Sequence, residues 1–184
     1  MNHRNITDKS GKEYHICKLT RRFALGEATT LLYIHNIIPH VRWSTTDLLA
    51  GSSPKGVVYT QKWRLSFVVC DGDRTIALLI AYKRETSDTH PTKAIYVHRL
   101  AVAPEYQGKG IGSALLQEAL LHYSRAFPEI ETYTVQTNDE AANEKVIEFY
   151  KNAGFERFNP VQYPDKLDIL LKLEKADLLA RATC

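Results

Sequence analysis

The chain has 184 residues, with 44% hydrophobic and 24% charged side chains, and this balance excludes a disordered or fibrous protein. The length suits one domain rather than two. The net charge of +3 comes from dispersed basic residues, which argues against a nucleic-acid partner but remains compatible with a small polyanionic ligand.

The cysteines and the hydropathy of the chain argue against a disulfide-rich, zinc-binding, membrane or secreted protein. Cys17, Cys70 and Cys184 are an odd number at wide spacing, so we expect no disulfide framework and no zinc site, but reduced thiols in a cytoplasmic protein. The longest apolar runs fall short of the roughly 18 residues that cross a membrane. Residues 1–12 are polar and lack the apolar part of a secretory signal, so we expect a flexible lead-in there.

Periodicity and turn residues predict the elements in chain order. The first half contains a strand at 13–20, a helix at 22–38 ended by Pro39, a short helix around Leu48 capped by Thr45 or Thr46, and strands at 63–70 and 75–82. The sequence Asp-Gly-Asp at 71–73 predicts a hairpin between the last two.

The second half follows a polar loop at 85–93. The predicted elements are a buried strand at 94–103, a helix at 111–127, a strand at 130–137, a helical stretch at 138–153 closed by Gly154, and strands at 155–161 and 167–173. This order indicates an α/β domain over residues 13–174, with a mixed central sheet of about six to seven strands and about four helices. A mildly helical tail covers residues 175–184.

The strand-to-helix junction at residues 107–112 reads Gln-Gly-Lys-Gly-Ile-Gly. Glycines permit positive φ, so successive amides can converge on one anion, and the following helix adds its free N–H groups. Lys109 can add a cation. The spacing fits neither the dinucleotide pattern GxGxxG nor a P-loop. A glycine-rich turn without a ligand is the alternative interpretation.

Residues 100–104 before this junction read Leu-Ala-Val-Ala-Pro, and an apolar helix follows it. This combination resembles the GNAT superfamily of acetyl-CoA-dependent N-acetyltransferases, in element order over residues 63–173 and most strongly over 96–116. The resemblance implies a sheet whose central strand pair is splayed to form the acetyl-CoA cleft. It also implies acetyl-CoA as the cosubstrate and no metal.

The resemblance further assigns the coenzyme contacts. Amides of the glycine loop would bind the pyrophosphate, and main-chain groups of the preceding strand would pair with the pantetheine arm. The expected cofactor-binding residues are Leu100, Ala101, Val102, Gln107, Gly108, Lys109, Gly110, Ile111, Gly112, Ser113, Asn138, Asn143 and Tyr150.

A second family signature, N-x-x-A-x-x-x-Y-x-x-x-G-F, is similar to residues 143–155, with Val146 in place of the alanine. By this resemblance Tyr150 is the general acid that protonates the thiolate leaving group. A half-buried core tyrosine is the alternative. Asn138, directly after the preceding strand, is a rival for the coenzyme contact, and residues 138–142 look like a small insertion, but we prefer Asn143 because its distance to Tyr150 is right.

The amine must lose a proton before it attacks, and many relatives place a carboxylate where this chain has His98. Imidazole titrates near neutral pH, so His98 is the candidate base, directly or through water, with a packed structural histidine as the alternative. Tyr96 would share the face of His98, and Arg99 would point to the opposite face.

The acceptor pocket is expected in residues 35–56 and 83–93, which carry no diagnostic pattern. Its candidate wall residues are His35, His40, Trp43 and His90. The sequence thus predicts an N-acetyltransferase acting on a primary amine of a small molecule or of a protein N-terminus or lysine. A non-catalytic acetyl-CoA sensor and a nucleotide-phosphate enzyme are the alternatives. No membrane is expected as a partner, and a homodimer is compatible with the sequence.

Overall fold

A computed structural model describes residues 4–38, 42–53, 56–84, 91, 93–164 and 166–183. The strands are β1 (Arg4–Thr7), β2 (Glu13–Lys18), β3 (Phe67–Asp71), β4 (Arg74–Arg84), β5 (Ala94–Val102), β6 (Thr132–Asn138), β7 (Glu156–Gln162) and β8 (Leu167–Glu174). They form one mixed sheet in the order β1-β2-β3-β4-β5-β6-β8-β7. Each neighbouring pair is antiparallel except β5 and β6, which are parallel. The predicted α/β architecture is confirmed.

Helices cover both faces of this sheet. They are α1 (Arg21–Gly26), α2 (Ala28–His35), α3 (Thr45–Leu49), α4 (Lys62–Leu65), α5 (Ile111–Ala126), α6 (Glu144–Asn152) and α7 (Lys175–Ala182). One apolar cluster joins the sheet to α5, α6 and α7, and we call this side the α5 face. A smaller cluster joins the opposite side to α1, α2 and α3, and we call it the α2 face. Successive side chains of each strand point to opposite faces of the sheet, so the same strands contribute apolar residues to both clusters.

The parallel pair at the centre of the sheet separates partway along its length. β5 and β6 are in register from Ala94 opposite Thr132 to Val97 opposite Val135. Beyond that point β5 stays paired with β4 as far as Val102, and β6 stays paired with β8 as far as Asn138. The two strands are therefore splayed beyond Val97, as the family resemblance predicted.

A β-bulge interrupts β5 where the splay begins. Arg99 is opposite Ile80 of β4 and Val97 is opposite the next residue, Ala81, so His98 is the extra residue. A bulge shifts the alternation of side chains by one position. Val97 faces the α5 core before the bulge, and Leu100 faces it afterwards.

The N-terminal segment differs from the flexible lead-in that we expected for residues 1–12. Residues 4–7 form β1, which pairs with β2 and gives the described part of the sheet eight strands, one more than the upper count that we expected. The reason is a single apolar anchor, because Ile6 is buried in the α5 core while its strand neighbours stay accessible. One anchor in a polar segment produces too weak a periodicity to predict a strand.

Four element boundaries also differ from the prediction. The helix expected at 22–38 is divided into α1 and α2 at Glu27. Ser44, which shares a capping box with Asp47, caps α3 in place of the expected threonines. The strand expected from residue 63 begins at Phe67, because α4 forms a helical turn first. α6 begins only at Glu144, since β6 runs to Asn138 and a short 3-10 turn occupies Ala141–Asn143. The hairpin at Gly72 and the Gly154 cap are confirmed, both glycines having positive φ.

Candidate active site

The glycine loop has the backbone conformation that an anion cradle requires. Gly108 and Gly110 adopt φ values of +74° and +90°, where a residue with a Cβ would be strained. The first amide of α5 to bond within the helix is that of Ala114, which donates to the Gly110 carbonyl at 3.0 Å. Within the part of the chain that the structure describes, the N–H groups of Ile111, Gly112 and Ser113 are consequently free at the positive end of the helix, and no side chain caps them. The loop therefore fits a diphosphate.

Neighbouring side chains hold the loop on β5 and α6. The Gln107 side-chain amide donates to the Val102 carbonyl at 2.9 Å. A Cβ on Gly112 would lie 3.4 Å from the Val102 side chain and 3.8 Å from the Phe149 ring, so a glycine here permits close packing of the helix. The Lys109 ammonium lies 4.8 Å from the centre of the Tyr106 ring. Gln107 thus fixes the position of the loop relative to β5.

The edge of β5 that borders the splay offers main-chain groups to an extended ligand. Within the described residues, Leu100 and Ala101 pair with β4 on one side and with no strand on the other. Val102 also borders this gap, but its carbonyl already accepts the Gln107 bond. Such an edge can add a pantetheine arm in the manner of a further strand.

Tyr150 lies on the buried side of α6, with 6% of its surface exposed. Its ring contacts those of Phe149 and Phe155 at centroid distances of 5.0 and 5.6 Å. Burial raises the pKa of its phenol, and the nearby Tyr96 acts in the same direction. The hydroxyl is therefore protonated at neutral pH, as a proton donor must be. Tyr150 belongs to the apolar cluster of the α5 face, so α6 brings it to the central strands from that side.

The two rival asparagines lie beside each other at the end of β6. The Asn143 side-chain amide approaches the Asn138 carbonyl at 3.4 Å. The Asn138 side chain donates to Glu140 at 3.1 Å, and its own amide oxygen has no hydrogen-bond partner among the described residues. Val146, which stands in place of the alanine of the family signature, is 40% exposed, whereas its neighbour Ile147 is buried.

His98 lies on the α2 face, inside a group of aromatic rings. The rings of Trp43, Tyr59, Tyr82 and Tyr96 have centroids 5.5 to 5.6 Å from the imidazole. Burial, helped by the charges of Arg99 and Lys62, holds the pKa of His98 well below its usual range. The imidazole is neutral at pH 7, and its Nδ1 is buried without a partner in the described structure.

The prediction for Arg99 was wrong. Its side chain lies on the same face as His98, where Nε donates to Nε2 of His35 at 3.2 Å and the guanidinium lies 5.3 Å from the centre of the Trp43 ring. The bulge at His98 explains the error, because strict alternation would have sent Arg99 to the α5 face. His35 is fully buried and stacks on Trp43 at 4.1 Å, and burial lowers its pKa.

Lys62 was not predicted from the sequence, although it belongs to this group. Its ammonium donates to the Leu48 and Ala50 carbonyls at 2.7 and 2.9 Å and lies 5.2 Å from the centre of the Tyr59 ring. Burial lowers its pKa to about 8. A lysine within an unassigned polar segment carries no sequence signal for burial, because lysine is a surface residue by default.

A second unpredicted group lies where β8 borders β6. The Gln136 amide donates to the Asp168 carboxylate at 2.7 Å and to the Tyr163 hydroxyl at 3.0 Å, and Lys166 donates to the same Asp168 oxygen at 2.9 Å. Asp168 is 4% exposed, and its other oxygen has no hydrogen-bond partner among the described residues. Both Asp168 and Tyr163 influence the pKa of Tyr96, so this group borders the aromatic one.

Two sequence candidates, His40 and His90, lie outside the described residues. Over the part of the chain that the structure covers, no set of three potential metal-binding side chains comes together. Among the described helices, none has the length and apolar character needed to span a membrane.

Comparison with known proteins agrees with this geometry. Residues 62–157, just over half of the chain, match the acetyltransferase (GNAT) domain family. The chain therefore belongs to the GNAT acetyltransferase family, whose enzymes use acetyl-CoA.

Two curated relatives match parts of the chain. The mycothiol acetyltransferase of Propionibacterium freudenreichii is 38% identical over 37% of this chain and 20% of its own length. N-alpha-acetyltransferase 30 of Schizosaccharomyces pombe is 33% identical over 54% of this chain and 63% of its own length. The chain thus spans less than two thirds of either relative.

Solved structures share the fold at low identity. Ard1 from Thermoplasma volcanium has a TM-score of 0.68 at 14% identity, covering 88% of this chain and 97% of that protein. The aminoglycoside acetyltransferase AAC(6')-Ib, solved with coenzyme A and kanamycin, has a TM-score of 0.67 at 17% identity, covering 93% and 99%. These likenesses confirm the GNAT fold.

Proposed function

We propose that this protein transfers the acetyl group of acetyl-CoA to a primary amine by direct attack, with Tyr150 as the general acid. The observation that carries the proposal is the position of Tyr150, a buried phenol with a raised pKa next to the splayed strands. A protonated hydroxyl at this place can donate to the departing thiolate. A module that only binds the coenzyme would have no need of such a donor.

The coenzyme contacts follow from the loop and the strand edge. The amides of residues 107–113 would hold the diphosphate, and Leu100 and Ala101 would bond the pantetheine arm through their main chains. Acetyl-CoA supplies the activated thioester, and these contacts of the protein position it. Asn138 and Asn143, at the end of β6, would bind the arm on the opposite side of the gap.

His98 would take the proton that the amine must lose. It lies on β5 beside the end of the paired segment, and its neutral imidazole has an unpartnered Nδ1. Its lowered pKa keeps the imidazole able to accept a proton, but also makes it a weak base. We therefore propose that it acts on an amine already near deprotonation, directly or through water.

The acceptor would be a small-molecule amine or the amino group of a protein. The relative named N-alpha-acetyltransferase 30 supports an N-terminal α-amine, and the mycothiol relative supports a small molecule. The aromatic rings around His98 would form the wall of the acceptor site. Apolar walls of this kind exclude water from the reacting amine.

The test is release of free thiol from acetyl-CoA with a panel of amines. The panel contains peptides with a free N-terminus, the same peptides with a blocked N-terminus and one internal lysine, and small amines including an amino sugar. We expect turnover with at least one class, and the blocked peptides separate α-amine from lysine acetylation. Calorimetric binding of acetyl-CoA without turnover on any acceptor would favour the sensor alternative. Binding of ATP or NAD in place of coenzyme A would favour the nucleotide enzyme.

A further inference from the structure

The turn between β1 and β2 lies against the glycine loop. The Lys9 amide donates to the Lys109 carbonyl at 2.9 Å. The Lys9 side chain also crosses the start of α5, because three of its carbons lie 3.3 to 3.9 Å from the place where a Cβ on Gly110 would be. This turn therefore brings a cation to the end of the helix where the free amides are.

Hydrogen bonds of Asp8 fix the shape of the turn. One carboxylate oxygen of Asp8 accepts from the Ser10 amide and hydroxyl and from the Lys12 amide, and the other accepts from the Tyr14 hydroxyl. These bonds, led by that of the Ser10 side chain, lower the pKa of Asp8 to about 2. The carboxylate stays ionised at neutral pH, and its lone pairs are directed into the turn. The Lys9 side chain is thus presented from a well-defined backbone.

The carboxylates around the turn form no ion pair with Lys9 in the described structure, so its ammonium is available to bind an anion. A cleft of about 350 Å³ lies between the turn and the loop, and it is lined by Asp8, Lys9, Ser10, Lys12, Tyr14, Gly108 and Lys109. Lys12 is paired with Asp71 at 2.6 Å. Among the described residues, neither Lys9 nor Lys109 makes an ion pair, and the Lys109 ammonium lies 4.8 Å from the centre of the Tyr106 ring. The hydrogen bond from Lys12 and, to a smaller extent, the charge of Lys109 lower the pKa of Asp71. The cleft thus has two cations without a directly paired carboxylate in the described structure, and both lie beside one row of amides.

We propose that the β1–β2 turn is a second wall of the coenzyme's phosphate site, in which the ammonium of Lys9 binds a phosphate group. This inference rests on the proposed coenzyme contacts of the glycine loop and adds a residue more than ninety positions away in the sequence. Coenzyme A offers two kinds of phosphate, the diphosphate and the 3'-phosphate of its ribose. An ammonium beside the helix entrance suits either of them.

The experiment measures dissociation constants by calorimetry for coenzyme A and for 3'-dephospho-coenzyme A. Lys9→Gln removes the charge but keeps a shorter polar side chain and the main-chain bond to Lys109. Lys93→Gln, directly before the start of β5, is the control for loss of one exposed lysine, although Lys93 is paired with Glu131. Lys9→Arg keeps the charge. Thermal unfolding of each variant checks that the fold is intact.

We expect Lys9→Gln to weaken coenzyme A binding by about fivefold, the range of an exposed ion pair, while Lys93→Gln and Lys9→Arg bind as the wild type does. If Lys9→Gln binds coenzyme A and 3'-dephospho-coenzyme A more weakly by the same factor, Lys9 contacts the diphosphate. If only the affinity for coenzyme A falls, Lys9 contacts the 3'-phosphate. Unchanged affinity in Lys9→Gln, or equal losses in Lys9→Gln and Lys93→Gln, would overturn the inference. Failure of the wild type to bind either ligand would instead refute the proposed function.

Discussion

The Nε atom of Arg99 donates to Nε2 of His35 at 3.2 Å, joining β5 to α2 across the face that carries the aromatic residues. Because Nε2 accepts this bond, the His35 proton is assigned to Nδ1, which faces the Asn36 amide oxygen at 3.0 Å. Neutral imidazole is therefore built into the native state, in agreement with the lowered pKa that burial causes.

Stability should consequently fall in acid. Histidine in the unfolded chain has a pKa of about 6.5. Below that pH the unfolded chain therefore binds a proton at His35, whereas the native protein does not, and protonation favours unfolding. The contribution of neutral His35 to the free energy of unfolding is complete above about pH 6.5, and it is lost as the pH falls toward the lowered pKa of His35 in the native protein. Burial lowers the pKa of His98 as well, so His98 also makes the protein less stable as the pH falls.

The variant His35→Gln keeps a side-chain acceptor for Arg99 but cannot titrate. We expect urea unfolding to show a smaller loss of unfolding free energy between pH 7.5 and 5.5 than in the wild type, even though loss of the Trp43 stacking lowers stability at both pH values. Parallel losses in the two proteins would contradict this account of His35.

Tyr150→Phe removes one hydroxyl next to the splayed strands. We expect kcat to fall about 100-fold or more, the usual contribution of a general acid, with a KM for acetyl-CoA that stays close to the wild-type value. Tyr133→Phe is the matched control, because its hydroxyl is buried in the same core without a partner in the described structure. That variant should keep full turnover. Equal kcat values in Tyr150→Phe and Tyr133→Phe would remove Tyr150 from the chemistry.

Gly110→Glu introduces a side chain and a negative charge at the entrance of α5. We expect it to abolish coenzyme binding in calorimetry, because the carboxylate would occupy the place of the phosphate. Gly72→Glu is the control for backbone strain, since Gly72 also has positive φ but lies in the β3–β4 hairpin with open space around it. Normal affinity in folded Gly110→Glu would show that the loop does not hold phosphate.

The pH dependence of turnover tests His98. Since its pKa lies well below 6.5, the imidazole stays neutral between pH 6.5 and 8, and the rate increase in this interval should follow the acceptor amine. Two acceptors whose amine pKa values differ should therefore give profiles displaced by that difference. Profiles that coincide for both acceptors, together with loss of the acid limb in His98→Gln, would show that His98 titrates in this range.

The sequence predicted those parts of the site that depend on local chemistry. The glycine loop was recognisable because Gly108 and Gly110 stand where a strand meets a helix, and their positive φ values match that expectation. The strand pairing around the splay followed from the family resemblance. The contacts of Lys62 and Asp168 depend on distant segments, and no local pattern distinguishes either from a surface residue.

Other errors came from the limits of periodicity. A strand of four residues with one buried side chain, such as Arg4–Thr7, is too short to show alternation. A single helical turn before Phe67 was assigned to the strand because its apolar residues continue the same pattern. The extra residue at His98 could not be predicted for a related reason. The prediction relied on the two-residue alternation of side chains along a strand, and a bulge interrupts that alternation.

That extra residue constrains what β5 can tolerate. If β5 kept all of its residues but lost the bulge, strict alternation would resume, and Leu100 and Val102 would turn away from α5 while their neighbours entered its core. The phosphate loop follows directly after this strand, so its entry angle would rotate with it. A homologous chain without the bulge should therefore have one residue fewer between the positions of Val97 and Gly108, because only that shorter spacing keeps Leu100 and Val102 on the α5 side.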